Sequence, residues 1–261
     1  MPTPAPAAPP PDANPAPDAV AEARDAAAGG VAKRRYVRRM FSDIAPRYDL
    51  LNHLLSANVD RAWRRTALRR LGWERVPDGR YLDLCAGTLD VAVQLARQPG
   101  FRGRVLAADF AEPMLRAGTR KRAGLPVAPV TADAQKLPLA AASVDGAIVA
   151  FGVRNLADLD AGLREVHRVL RPGARYVILE FSLPRSALVR AGYLAYFRHV
   201  LPLVGRLVSG HRTAYQYLPD SVANFPTGDA LTARLRAAGF ARVTWEPLTF
   251  GIAAVHVAEK G

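Results

Sequence analysis

Three aspartates stand at or near the ends of short apolar runs, where an open α/β sheet would set them side by side. Asp83 lies in Tyr81-Leu82-Asp83-Leu84, ahead of the turn Cys85-Ala86-Gly87-Thr88-Leu89-Asp90. Asp109 closes a second run, and Asp133-Ala134 follow a third. Ligands in such sheets bind beyond the carboxyl ends of the strands, and a carboxylate there accepts hydrogen bonds from ribose hydroxyls. Gly87 lets backbone approach a bound group closely, and Asp133-Ala134 fall beside the expected adenine position. A fourth run ends in Phe151-Gly152, with Arg154 and Asn155 just beyond it.

The turn itself discriminates between cofactors. A dinucleotide loop carries two or three glycines, so that a pyrophosphate can sit on a helix N-terminus. Here Gly87 stands alone, Leu89 occupies the place where a close-packing glycine would help, and Asp90 would repel pyrophosphate. S-adenosylmethionine (SAM) has no phosphate; it carries a sulfonium and an amino group, which acids suit. The loop therefore favours SAM over NAD. No Cys/His cluster or paired-His helix suggests a metal.

These residues need a scaffold. From residue 81 the pattern alternates between strand and helix, with strands expected at 81–85, 104–109, 127–132, 144–151 and 175–181. Leu156, Leu159, Leu163, Val166 and Leu170 have helical spacing, and Arg171-Pro172-Gly173 stops that helix. Runs at 241–248 and 252–258, joined by a turn at Gly251, read as a hairpin. The expected fold is α/β: a doubly wound, Rossmann-like sheet, mostly parallel, with a C-terminal antiparallel hairpin.

Upstream, Val37, Met40, Phe41 and Ile44 mark one helix face. Trp63, Ala67 and Leu71 mark another, with Arg61, Arg65 and Arg69 opposite. About sixty residues separate the fifth strand from the hairpin, far more than a usual connection. Within them Val189, Tyr193, Tyr196, Phe197, Val200 and Val204 approximate a helical stripe that Pro202 would kink. A helical cap at 183–227 over a greasy substrate and a simple core helix are both open readings. Residues 1–30, mostly Pro and Ala, are expected to be a disordered tail.

Composition narrows the class. The net charge is +13, which points to an anionic partner. The single cysteine, Cys85, excludes an intramolecular disulfide framework. No apolar run reaches the roughly 18 residues of a membrane helix. The N-terminus has neither signal-peptide nor transit-peptide character. A cytoplasmic protein, touching the inner face of a membrane from outside, is the expectation.

The stretches MFSDIAPRYDLLNHLLSANVDRAWRR, LDLCAGTLD, ADFAEPML, DAQKLPLAAASVDGAIVAFGVRN, LREVHRVLRPG, LEFS and YQYLPDSVANFP together resemble the ubiquinone/menaquinone biosynthesis C-methyltransferase family, within the class I SAM-dependent methyltransferases. The resemblance runs from about Val37 to His256. It implies SAM contacts at Asp83, Gly87, Thr88, Asp109, Asp133 and Ala134, and a polyprenylated quinol as methyl acceptor. Arg154 is then the first candidate for the charged partner of a ring oxygen, with an ion pair between loops as its structural alternative. Asn155 orients Arg154 or the substrate, or caps the next helix. Tyr48, Asp49 and Asn52 would form a lid, with a core role as the alternative for Tyr48; Asp49 or His211 are candidates for a base, with water aided by Arg154 as the alternative.

The family loop resembles D-x-A-x-G-T-G-D, so Cys85 and Leu89 depart from it, as does Ala150, where some relatives carry a hydroxyl residue. Cys85 is expected to pack. Leu89 is expected to have ordinary helical dihedrals, with its side chain in the sheet–helix layer. Demethylmenaquinol is the preferred substrate and the methoxy-benzoquinol the alternative. RNA methylation lacks its usual signature after the fourth strand, so no nucleic acid partner is favoured. A degenerate, non-catalytic scaffold and a homodimer stay open.

Overall fold

The computed structural model describes residues 30–45, 48, 56, 58–196, 212–226 and 228–261. Asp49, Asn52, His211, the 1–29 segment and the stripe beyond Tyr196 lie outside the described residues. Among the described residues, helices α1 (Gly30–Ile44) and α2 (Val59–Leu71) precede the sheet. Then follow β1 (Arg80–Leu84), α3 (Asp90–Ala96), β2 (Arg104–Asp109), α4 (Glu112–Ala117), β3 (Val127–Thr131), β4 (Val144–Ala150), α5 (Leu159–Val169) and β5 (Leu170–Phe181). The chain ends with α6 (Ala187–Ala195), α7 (Arg212–Ala223), α8 (Asp229–Ala237), β6 (Phe240–Leu248) and β7 (Ala253–Lys260).

The strand order is β3-β2-β1-β4-β5-β7-β6. All pairs up to β5 are parallel, and β7 runs antiparallel between β5 and β6. Strand order therefore reverses between β1 and β4, and the crevice beyond their carboxyl ends is the expected ligand site. Doubly wound topology and the closing hairpin both match the sequence pattern.

Helices cover both faces. On one, Trp63, Ala67, Leu68 and Leu71 of α2 pack with Ile148, Val177 and Leu179. Arg61, Arg65 and Arg69 face solvent, as their spacing implied. On the other face, Leu163, Val166 and Val169 of α5 and Leu231 and Leu235 of α8 meet Val149, Tyr176 and Ile178. Leu156 precedes α5 rather than joining it, because Asp158 caps the helix by accepting Ala161 N–H at 2.9 Å. β5 begins five residues earlier than expected: Leu170 already pairs with Val144, and the ladder slips across Arg171-Pro172-Gly173. A third cluster joins Tyr36, Val37 and Met40 of α1 to Tyr193 of α6 and Tyr217 and Val222 of α7. The first helix, α6 and α7 thus share one core at the sheet end.

His256 is buried at the centre of β7. Its ring stacks on Trp245 at 5.7 Å, and Nε2 lies 3.2 Å from Gly228 O. Burial pushes its pKa down to about 4, against the opposing pull of the Gly228 carbonyl and Asp229. An unfolded chain takes up this proton near pH 6.5. Stability is therefore full above that pH and is lost as pH falls through about 4. Urea titrations from pH 7 to 4 are expected to show a loss of about 2–3 kcal/mol from this site, and His256→Gln is expected to flatten it.

Candidate functional site

The β1–α3 turn is pinned from below. Asp109 Oδ2 accepts Gly87 N–H at 2.9 Å, and its Oδ1 accepts Ala111 N–H at 2.8 Å. Asp83 Oδ2 accepts Ala92 N–H at 2.9 Å, joining the strand end to the first turn of α3. Both carboxyls are buried, at 1 % and 8 % exposure. Burial raises the pKa of Asp83 to about 8, helped by Asp109 and opposed by the Ala92 N–H and Arg64. Burial raises that of Asp109 as well. A cationic ligand placed beside such carboxyls restores their ionised form, which is the electrostatic requirement of a sulfonium or ammonium group.

The turn is backbone-strained and compensated. Cys85, Gly87 and Leu89 have φ of 53°, 52° and 70°. Leu89 is thus left-handed at the N-cap of α3, which corrects the expectation of helical dihedrals; its side chain is fully buried in the layer, as expected. A left-handed non-glycine residue costs about 1–2 kcal/mol. Burying leucine returns about 1.5–3 kcal/mol, which offsets it. Room comes from Gly118, where an added Cβ would lie 2.7 Å from Leu89 Cγ. Gly152 serves Cys85 likewise, since a Cβ there would lie 2.3 Å from Cys85 Cβ. Burial pushes the Cys85 thiol well above its ordinary pKa, consistent with a packing role.

The crevice at the strand ends is lined by Cys85, Asp109, Phe110, Asp133, Ala134 and Asn155, among others. Asp133 Oδ1 accepts Gln135 N–H at 3.0 Å, and its Oδ2 pairs with Arg34 of α1 at 2.9 Å. Tyr48 approaches the turn: its Cε1 would lie 3.8 Å from a Cβ on Gly87. Asp83, Gly87, Thr88, Asp109, Asp133, Ala134, Tyr48 and Asn155 are thus gathered at one end of the sheet. Such a set would suit SAM, with Asp109 offered to ribose hydroxyls, Asp133 and Ala134 to the adenine side, and Asp83 and Gly87 to the charged tail.

Two loop residues are engaged differently from the simple expectation. Thr88 Oγ1 accepts from Lys121 Nζ at 3.2 Å. Asp90 pairs with Lys121 at 2.6 Å and Arg64 at 3.2 Å, so its charge is met by two cations. The sequence argument that Asp90 would repel pyrophosphate therefore weakens; Asp109 and Asp133, which line the crevice, supply its acids instead. Arg64 and Lys121 were not anticipated. The Asp60–Arg64 pair at i,i+4 was the available signal for the first.

Arg154 is buried, and its Nη1 donates to Glu180 Oε1 at 2.6 Å and to Phe151 O at 2.7 Å. Its Nε donates to Ser221 Oγ of α7 at 3.3 Å, and the guanidinium lies over the Phe181 ring at 5.3 Å. The structural alternative, an ion pair, is therefore present. Asn155 does not cap α5, whose cap is Asp158. Its Oδ1 is buried without a hydrogen-bond partner among the described residues, beside Asp133 and Ala134.

Strand order, three carboxyls at successive strand ends and a single-glycine turn define a class I SAM-dependent methyltransferase. Solved structures agree on the fold: a SAM-dependent methyltransferase from Thermotoga maritima has a TM-score of 0.60 at 17% identity, covering 85% of this chain and 99% of that one. The [4+2]-cyclase SpnF gives 0.63 at 18%, covering 86% and 96%, so the fold alone does not set the reaction. The profile of the ubiE/COQ5 methyltransferase family matches residues 30–260, and the chain belongs to that family. It is 49% identical to a demethylmenaquinone methyltransferase of Thermus thermophilus, over 85% of this chain and all of that protein. It is 46% identical to a ubiquinone/menaquinone biosynthesis C-methyltransferase of Geobacter sulfurreducens, over 88% and 90% respectively.

Two outcomes follow from this geometry. Leu89→Gly should relieve left-handed strain yet lose a buried side chain, for a net loss of about 1–3 kcal/mol in urea unfolding. Arg154→Ala should cost about 3–5 kcal/mol because Glu180 is left charged and buried. The pair Arg154→Met with Glu180→Gln should recover most of that loss, read by the same titration.

Proposed function

We propose that the protein is a SAM-dependent C-methyltransferase of quinone biosynthesis that methylates the ring of a polyprenylated quinol, demethylmenaquinol in the first place. The pairing of Asp109 with the Gly87 turn, inside a chain of the ubiE/COQ5 family, carries this reading. The naphthoquinol preference is supported by relatives from Thermus thermophilus and Deinococcus radiodurans, both named demethylmenaquinone methyltransferase, at 49% and 45% identity. The 2-polyprenyl-6-methoxy-1,4-benzoquinol is the second substrate to test.

SAM supplies an electrophilic methyl group. The chain must hold a ring carbon in line with it and stabilise the charge left when a ring hydroxyl loses its proton. Arg154 offers a positive centre under the cap, held rigid by Glu180 and Phe151 O. Asn155 stands beside the adenine side of the crevice, and Tyr48 beside Gly87. Asp49 remains a candidate base. The third apolar cluster, shared by α1, α6 and α7, would exclude water from the reacting pair. A polyprenyl tail belongs in a bilayer, and the chain from Phe181 to Pro219 holds five arginines and no acid. The described part of that segment, with Arg185 and Arg190 exposed, is proposed to meet anionic lipid.

Calorimetry with S-adenosylhomocysteine, with NAD titrated alongside, is the first test. Binding of the former alone is expected, and Asp109→Asn should weaken it at least about tenfold, since a hydrogen bond to a charged group is lost. Methyl transfer to demethylmenaquinol should then exceed transfer to the benzoquinol. Binding of neither nucleotide would put the non-catalytic scaffold in front.

A further inference from the structure

We propose that Phe250, at the β6–β7 turn, and Leu188, in the first turn of α6, form a two-pronged apolar anchor that inserts into an anionic bilayer at the crevice end of the sheet. The inference rests on the bilayer contact proposed above and assigns it to two residues. Among the described residues only Val76, Leu188 and Phe250 are large apolar side chains left exposed, and the last two are 84% and 82% exposed. A single exposed apolar residue needs no explanation. Two on neighbouring elements, one held on a strained backbone, do.

The turn shows how Phe250 is held out. Thr249, Phe250 and Gly251 have φ of 44°, 57° and 88°, three left-handed residues in succession. Only the last is a glycine, so the first two are strained. Side-chain and backbone bonds maintain the shape: Trp63 Nε1 of α2 donates to Thr249 Oγ1 at 2.8 Å, and Ile252 N–H donates to Thr249 O at 3.1 Å. The turn is tied to the leader of α6. Ser182 N–H donates to Ile252 O at 2.9 Å, and a Cβ on Gly251 would lie 3.4 Å from Pro184 Cα.

Position and charge select the occupant. Phe181 pairs with Ala253, so the turn stands beside the carboxyl end of β5, at the same end of the sheet as the cofactor crevice. A surface docked there lies at the crevice end of the sheet. Leu188 is flanked by exposed Arg185 and Arg190, and no acid occurs between Glu180 and Asp220. Leu188 beside exposed Arg185 and Arg190, on a stretch of sequence without acids, matches the interface of an anionic membrane, with rings and alkyl groups below the headgroups and guanidinium groups among them.

The test is co-sedimentation of the full chain with phosphatidylglycerol-containing vesicles and with phosphatidylcholine vesicles. Phe250→Asn removes the ring and tolerates the left-handed backbone; Leu188→Gln keeps helix propensity. Wild type is expected to bind the anionic vesicles, each variant about tenfold more weakly and the double variant about a hundredfold more weakly. S-adenosylhomocysteine affinity and the thermal midpoint should stay unchanged. Equal binding by the double variant and wild type would overturn the anchor while leaving the bilayer contact standing. Failure of wild type to bind any vesicle would overturn both. A lipid-free wild-type dimer that the double variant dissolves would make the occupant a second copy of this chain and overturn the bilayer anchor.

Discussion

Asp109 accepts the backbone N–H groups of Gly87 and Ala111 together, and the geometry of the whole crevice hangs on that carboxylate. It ties the turn after β1 to the end of β2, while Asp83 ties the same turn to α3. A buried carboxyl is costly unless its oxygens are satisfied. Here backbone N–H groups satisfy them, which also prevents the turn from relaxing away from a ligand. The sheet order sets these two strands side by side, so the topology and the site are one arrangement.

Leucine at position 89 is compatible with that turn because the strain is balanced elsewhere. The left-handed backbone persists, the leucine side chain fills the layer, and Gly118 leaves the space it needs. Cys85 and Gly152 repeat the device across β1 and β4. In each pair one residue has a strained left-handed backbone while its partner has no Cβ. Volume and backbone conformation are exchanged between two segments that lie far apart in sequence.

Arg154 and Glu180 do for the cap what Asp109 does for the turn. They join the loop after β4 to the end of β5, and Ser221 extends the link to α7. Lys33 adds α1, donating to Arg154 O at 2.8 Å. Burial beside a guanidinium lowers the pKa of this lysine. Polar contacts and tyrosines thus fasten α1, α6 and α7 to the carboxyl end of the sheet, beside the crevice.

Local pattern was enough for the strands, the closing hairpin, the amphipathic faces of α1, α2 and α5, and the acids at the strand ends, because periodicity and strand-end position are properties of neighbouring residues. The resemblance of loop and FGVRN segments added the cofactor set. Tertiary structure alone decided the left-handed state of Leu89, the pairing of Asp90 with Arg64 and Lys121, the burial of Arg154 against Glu180, the closure of Arg34 on Asp133 and the exposure of Phe250. Each depends on which distant residue supplies a counter-charge, a hydrogen bond or a missing Cβ. Sequence spacing says nothing of that until the sheet has brought the segments together.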